Sequence, residues 1–156
     1  MPISRPTLSF ERKKDKGKEP VKDLQNTIFD RLNSVPLFDP LTEEEKLRLT
    51  HASVKRIFAP KESIVRVGEE GHSMFVVHKG SVNVQLGEKG QMRNFTTLGE
   101  GAIFGEMCLF TGQPRSATVT AASETEVLEI GHFAIKPLFQ SNPGLAESMS
   151  RTIAER

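Results

Sequence analysis

After Thr50 the hydrophobic period of this chain changes from helical to two, and it stays there as far as residue 131. Ile64-Val65-Arg66-Val67, Met74 to Val77, Val82 to Leu86, Ala117 to Ala121 and Val127 to Ile130 are too short for helices and read as strands. Glycine-bearing turns separate them: Gly68 to Gly71, Lys79-Gly80, Gly87 to Gly90, Gly99 to Gly101, and Gly112 to Pro114. Many short strands joined by glycine turns restrict the fold to a jelly roll or similar barrel, which closes its edges and leaves a pocket at the mouth.

Helical patterns flank the strands. Val21, Leu24, Ile28 and Leu32 recur at helical spacing, so residues 21 to 33 are expected to form an amphipathic helix that Val35-Pro36 ends. Thr42 followed by Glu45 is a capping-box pattern opening a short helix to about Thr50. Beyond the strands, helices are expected over His132 to Gln140 and from Asn142 or Pro143 to the end. In the last of these Leu145, Met149 and Ile153 form one apolar stripe, suited either to docking on the barrel or to covering a pocket.

Residues 11–19, ERKKDKGKE, carry five basic and three acidic side chains and no large apolar one, which predicts a solvated linker. The chain thus divides into an N-terminal tail and linker, 1–20, and one domain, 21–156. Within the tail, Thr7-Leu8-Ser9-Phe10 alternates after two prolines, a pattern suited to an edge strand whose partner lies elsewhere.

At 156 residues the chain has the length of one domain with a core that needs no staples. Its 21 basic and 20 acidic residues leave a formal charge of +1, too little for a broad field that attracts nucleic acid or an anionic membrane. Anion recognition would have to be local. The longest apolar runs fall far short of the ~20 residues needed to span a bilayer. One cysteine rules out an intramolecular disulfide, and without an apparent signal peptide the expected compartment is the cytosol.

Local anion chemistry is concentrated in FGEMCLFTGQPRSATV, Phe104 to Val119. Gly105 lets backbone approach an anion, and Arg115 supplies a planar fork of donors suited to phosphate. Glu106 would repel phosphate unless it accepts hydrogen bonds from hydroxyls, which a ribose provides. The same residues also suit a plainer arrangement of core Phe104, two turns and a surface Glu106–Arg115 ion pair. Cys108, among Met107, Leu109 and Phe110, reads as a buried inert thiol.

Taken together, VPLF with the following LT, the stretch VRVGEEGHSMFVVHKGSVNV, and LGEGAIFGEMCLFTGQPRSATV resemble the cyclic-nucleotide-binding domain of channels, cAMP-dependent kinase regulatory subunits and catabolite-activator-type regulators. The resemblance runs from about Asp23 to Arg156 and implies a mainly β fold. Its parts are an eight-stranded antiparallel β-roll, or jelly roll, N-terminal helices, a short phosphate-cassette helix and two C-terminal helices. It implies that Gly105 and Glu106 bind the ribose 2′-hydroxyl region, with Glu106 accepting, and that Arg115 pairs with the cyclic phosphate. Backbone N–H groups near Ser116 and Ala117 would complete the cradle. Val67, Val84, Phe104, Met107 and Leu109 are candidate apolar contacts, Cys108 belongs to the same cassette, and Arg156 aligns with a base-capping residue of the last helix. Serine at 116 lies between the threonine that accompanies cGMP binding and the alanine that accompanies cAMP, so cAMP is favoured with cGMP tolerated.

The resemblance implies a sensor without catalysis, whose ligand is cAMP or cGMP and which needs no cofactor or metal. MPISRPTLSF resembles the last vestibule strand of small-conductance mechanosensitive channels. The expected partner is therefore a covalently attached upstream channel or effector, with no direct contact of this segment with nucleic acid or membrane. In that setting the domain is the cytoplasmic part of a membrane protein. The alternative is the sensor fragment of a catabolite-activator-type transcription regulator without its DNA-binding domain. A cupin-like metalloenzyme is disfavoured, because His51, His72, His78 and His132 show no ligand spacing.

Overall fold

The computed structural model describes residues 21–87 and 93–155. The expected tail strand and linker at 1–20, most of the turn closing at Gly90, and Arg156 lie outside the described residues. Helix α1 spans Val21–Asn33, a single 3-10 turn follows at Pro36–Phe38, and α2 spans Glu43–Ala52. Eight strands come next: β1 Ser53–Phe58, β2 Ser63–Val65, β3 Ser73–Lys79, β4 Val82–Leu86, β5 Arg93–Leu98, β6 Ile103–Phe104, β7 Thr118–Ala121 and β8 Thr125–Gly131. Helix α3, Met107–Thr111, interrupts them between β6 and β7, and α4 His132–Ser141 and α5 Pro143–Ala154 close the chain.

The strands form two four-stranded antiparallel sheets, ordered β1-β8-β3-β6 and β2-β7-β4-β5. This is the expected jelly-roll architecture with flanking helices. Strand β3 explains how it holds together. Phe75 and Val77 point between the sheets, into a cluster with Val65, Val82, Phe104, Val119 and Val127. Met74 and Val76 point the other way, into a second core with the helices. That two-faced burial is why MFVV is a continuous apolar run and not an alternating one.

The second core joins Ile28 and Leu32 of α1, Leu37 and Phe38 of the 3-10 turn, Leu49 of α2, Ile135 and Leu138 of α4, and Leu145 and Met149 of α5 to the back of the sheet. The apolar stripe of α5 is therefore buried against the N-terminal helical layer, and Ser148 Oγ donates to the Leu37 carbonyl at 2.8 Å. The capping box forms as its sequence predicts. Glu45 N donates to Thr42 Oγ1 at 3.1 Å, and Thr42 N donates to Glu45 Oε1 at 2.9 Å.

The end of the second strand differs from its sequence pattern. Period-two alternation extends the second strand to Val67, whereas β2 ends at Val65 after a register shift. The chain then leaves the ladder, because Val67 N donates to Thr118 Oγ1 at 2.9 Å and Gly68 N to the Arg115 carbonyl at 2.9 Å.

Candidate functional site

The chemistry-bearing stretch runs from the end of β6 through α3 to the start of β7. Gly105 has φ +78°, a conformation that favours glycine, and a Cβ there would lie 2.8 Å from Arg115 Nη1 and 3.3 Å from the Phe75 ring. Glu106 caps α3, which is little more than one turn long, and Gly112 ends it in the left-handed region at φ +67°. These two glycines fold the cassette back so that Arg115 returns beneath Gly105.

Arg115 is buried, at 7% exposure. Its Nη1 donates to the carbonyls of Ser73 at 3.0 Å and Gly105 at 2.9 Å and lies 3.7 Å from Cys108 Sγ. The guanidinium also sits 5.6 Å from the centre of the Phe75 ring, which stacks on Phe104 with centroids 4.9 Å apart. Its backbone is fixed to the loop between β2 and β3. Arg115 N donates to the Glu69 carbonyl at 2.8 Å while Gly68 N donates to the Arg115 carbonyl. A side chain tethered at both ends in this way is pre-organised.

Glu106 is buried at 1% exposure, so the plainer arrangement of an exposed Glu106–Arg115 pair does not occur. Both residues instead line a cavity of about 270 Å³. Phe104, Gly105, Met107, Cys108, Ser116 and Ala117 line the same cavity, and Val84 forms part of the wall. A buried cation and a buried carboxylate on one small cavity suit a ligand that has an anionic end and a hydroxyl-bearing end.

Two expected contacts lie elsewhere. Val67 is 41% exposed and off the cavity because β2 stops before it, and Val65 lines the wall in its place. Leu109 lies on the far side of α3 from the cavity and is buried in the helical core. Arg156 lies outside the described residues. Sequence reading missed Phe95, Thr96 and Leu98 of β5, which supply another side of the cavity. The only signal for them was an alternation in RNFTTL too polar to stand out.

No residue of α4 or α5 lines the cavity, so of the two arrangements open to α5 the chain adopts the docked one. The cassette still touches these helices, since Phe110 packs edge-on against Phe139. At the first residue of α4, burial and then the positive charges of Lys136 and Arg115 hold the His132 pKa below its ordinary value. Among the described residues no group of three or more His, Cys, Asp or Glu side chains is placed to hold a metal ion, and no helix is long and apolar enough to cross a membrane.

Comparison with known proteins bears on the family and the fold. A cyclic nucleotide-gated potassium channel of Mesorhizobium japonicum is 38% identical over 79% of this chain, which spans 33% of that channel's length. The catabolite activator protein of Thermus thermophilus has 31% identity and a TM-score of 0.67, over 78% of this chain and 57% of that one. The regulatory domain of Toxoplasma gondii PKA, solved with cAMP, shares the fold with a TM-score of 0.77 at 24% identity, over 86% of this chain and 51% of that one. Residues 55–142 match the cyclic nucleotide-binding domain, more than half of the chain. The chain belongs to the cyclic nucleotide-binding domain family.

Proposed function

We propose that the domain binds cAMP in preference to cGMP in the cavity between β5, β7 and the cassette, and passes its occupancy to an attached effector. The observation that carries this reading is the burial of Arg115 and Glu106 on one cavity wall. Arg115 meets the cyclic phosphate, Glu106 accepts from the ribose 2′-hydroxyl, and the Ser116–Ala117 backbone completes the cradle. The base lies against Val84 and β5. Calorimetric titration with cAMP and cGMP tests the site. Arg115→Ala removes charge-assisted bonds worth about 1.5–3 kcal/mol, a tenfold to hundredfold loss of affinity. Unchanged affinity would overturn the assignment.

Signal transfer follows from differential binding, because a ligand shifts an equilibrium only by as much as it prefers one arrangement. Arg115 and Glu106 draw the cassette inward, α3 pulls on α4 through Phe110 and Phe139, and α5 closes toward the cavity as α1 shifts. Hydrogen exchange across Pro143–Ala154 with and without saturating cAMP tests this closure. An unchanged exchange pattern rejects it.

The effector in this reading is a membrane ion channel joined upstream of α1, with the domain on its cytoplasmic side. The 38% identity to a potassium channel over 79% of the chain supports it. A transcription regulator is the second reading, supported by 31% identity to a catabolite activator. Expressing the full-length gene product and comparing cAMP-dependent ion flux with cAMP-dependent DNA retardation separates the two.

A further inference from the structure

We infer that Gly71, in the loop between β2 and β3, is a positioning residue for the Arg115 guanidinium, and that its missing side chain sets the strength of anion binding in the cavity. The inference rests on the assignment of Arg115 to the ligand phosphate. Gly71 is not among the glycines that adopt a left-handed backbone, so its φ does not by itself call for glycine. The need comes from space. A Cβ at this position would lie 2.4 Å from both Cζ and Nε of Arg115 and 2.9 Å from its Cδ. Gly68 and Gly112 are the converse case, with nothing within 4 Å of their Cβ positions and backbones of φ +90° and +67°.

A flexible arginine would normally yield to such an intrusion at little cost. Here the arginine is held by its hydrogen bonds, which a shift would break. Gly105 is also close, with its own Cβ position 2.8 Å from Arg115 Nη1, so both glycines crowd the guanidinium. Its Nη1 is bonded to the Ser73 and Gly105 carbonyls, and its backbone is held at both N and O by Glu69 and Gly68. Ordinary contact begins at 3.4 Å. An alanine at 71 therefore displaces the guanidinium by about 1 Å, beyond the tolerance of roughly 0.5 Å within which a binding group keeps its geometry. Gly105 lines the cavity and Gly71 does not, so Gly71 acts only through Arg115.

A double-mutant cycle on the whole chain tests the inference, with cAMP as the probe and both calorimetric affinity and melting temperature recorded for Gly71→Ala, Arg115→Ala and the double variant. The expected result is a loss of about tenfold or more for Gly71→Ala, and a double variant that binds no more weakly than Arg115→Ala alone. Wild-type affinity in Gly71→Ala overturns the inference, as do losses that multiply in the double variant. Should Gly71→Ala fail to fold, the double variant decides. Recovery of a cooperative melt when the arginine is removed supports the steric coupling, and an equally unfolded double variant refutes it. The underlying phosphate assignment fails by a different sign, namely full affinity in Arg115→Ala.

Discussion

Phe110 of α3 meets Phe139 of α4 edge-on, with ring centroids 5.4 Å apart and planes at 80°. Phe110 is half exposed, so its ring is placed for contact more than for burial. Phe139→Leu keeps most of the volume against the helical core but removes the aromatic pair, at a cost of about 0.5–1.5 kcal/mol. The expected outcome is near-normal cAMP affinity with a weakened exchange response across Pro143–Ala154. A full response in the variant would show that the cassette reaches α5 by another route.

Glu106 at 1% exposure yields a sharper test of ligand chemistry. Glu106→Gln conserves shape but exchanges a charged acceptor for a neutral one. A charge-assisted bond to a ribose hydroxyl exceeds a neutral one by about 1–1.5 kcal/mol, so cAMP affinity should fall roughly fivefold to tenfold. For 2′-deoxy-cAMP, wild type and variant should bind alike. Equal losses for both nucleotides in calorimetry would detach Glu106 from the ribose.

The first and last helices were legible in the sequence because each carries a one-sided apolar stripe: Ile28 and Leu32 on α1, Leu145 and Met149 on α5. The capping box at Thr42 was legible for a local reason, since its hydrogen bonds involve residues three apart. The two-faced strand β3 and the cassette could also be read directly. What could not be read were edge strands such as β1 and β5. Strands β1 and β5 lie at the edges of their sheets, and β5 is exposed at every position before Leu98. Alternation fades where neither face is fully buried, and the cavity wall formed by Phe95 and Thr96 vanished with it. Val67 was read into the second strand because a period of two continues on paper through a register shift that ends the ladder in space. The role of Gly71 depends on a residue 44 positions away, which no local pattern carries.

Ser116 lines the cavity and remains solvent-exposed, so it tolerates substitution without disturbing the core. Ser116→Thr fixes the hydroxyl in fewer rotamers and should raise cGMP affinity relative to cAMP. Ser116→Ala should lower it by the worth of one neutral hydrogen bond, about 0.5–1.5 kcal/mol, or roughly twofold to tenfold. Competition calorimetry of the two nucleotides reads this ratio. A ratio unmoved by both substitutions places base selection elsewhere on the wall.

Asn142, between α4 and α5, joins both ends of the helical layer. Its Nδ2 donates to Glu45 Oε1 at 3.1 Å and to the Pro40 carbonyl at 3.0 Å, and its Oδ1 caps α5 by accepting from Gly144 N at 3.2 Å. Asn142→Ala removes the cap and strips a partner from the capping box of α2. The expected loss is about 1–2 kcal/mol of stability by urea unfolding, with no change in cavity chemistry. A stability change within about 0.5 kcal/mol would reduce Asn142 to an ordinary surface position.

His78 gives the domain a stability that rises with pH. The residue is buried, its Nδ1 accepts from Arg31 Nε at 3.3 Å, and its carbonyl accepts from Arg31 Nη2 at 3.1 Å, so α1 is tied to the barrel through a neutral imidazole. Burial, then the Arg31 charge, push the His78 pKa below 6.5, with Glu126 pulling weakly the other way. His132 is lowered by burial as well. Both histidines therefore bind protons more readily in the unfolded chain, and stability rises with pH through this range. The contribution is present above pH 6.5 and is lost as pH falls through the lowered native values. Glu45 is held below its usual 4.5, chiefly by the Thr42 backbone N–H. Melting temperature should be level above neutrality and decline as pH falls below 6.5. In His78→Gln, whose amide oxygen still accepts from Arg31, the decline should be shallower because one of the two lowered histidines is gone. A profile as steep as that of wild type would mean that His78 is not the group being read.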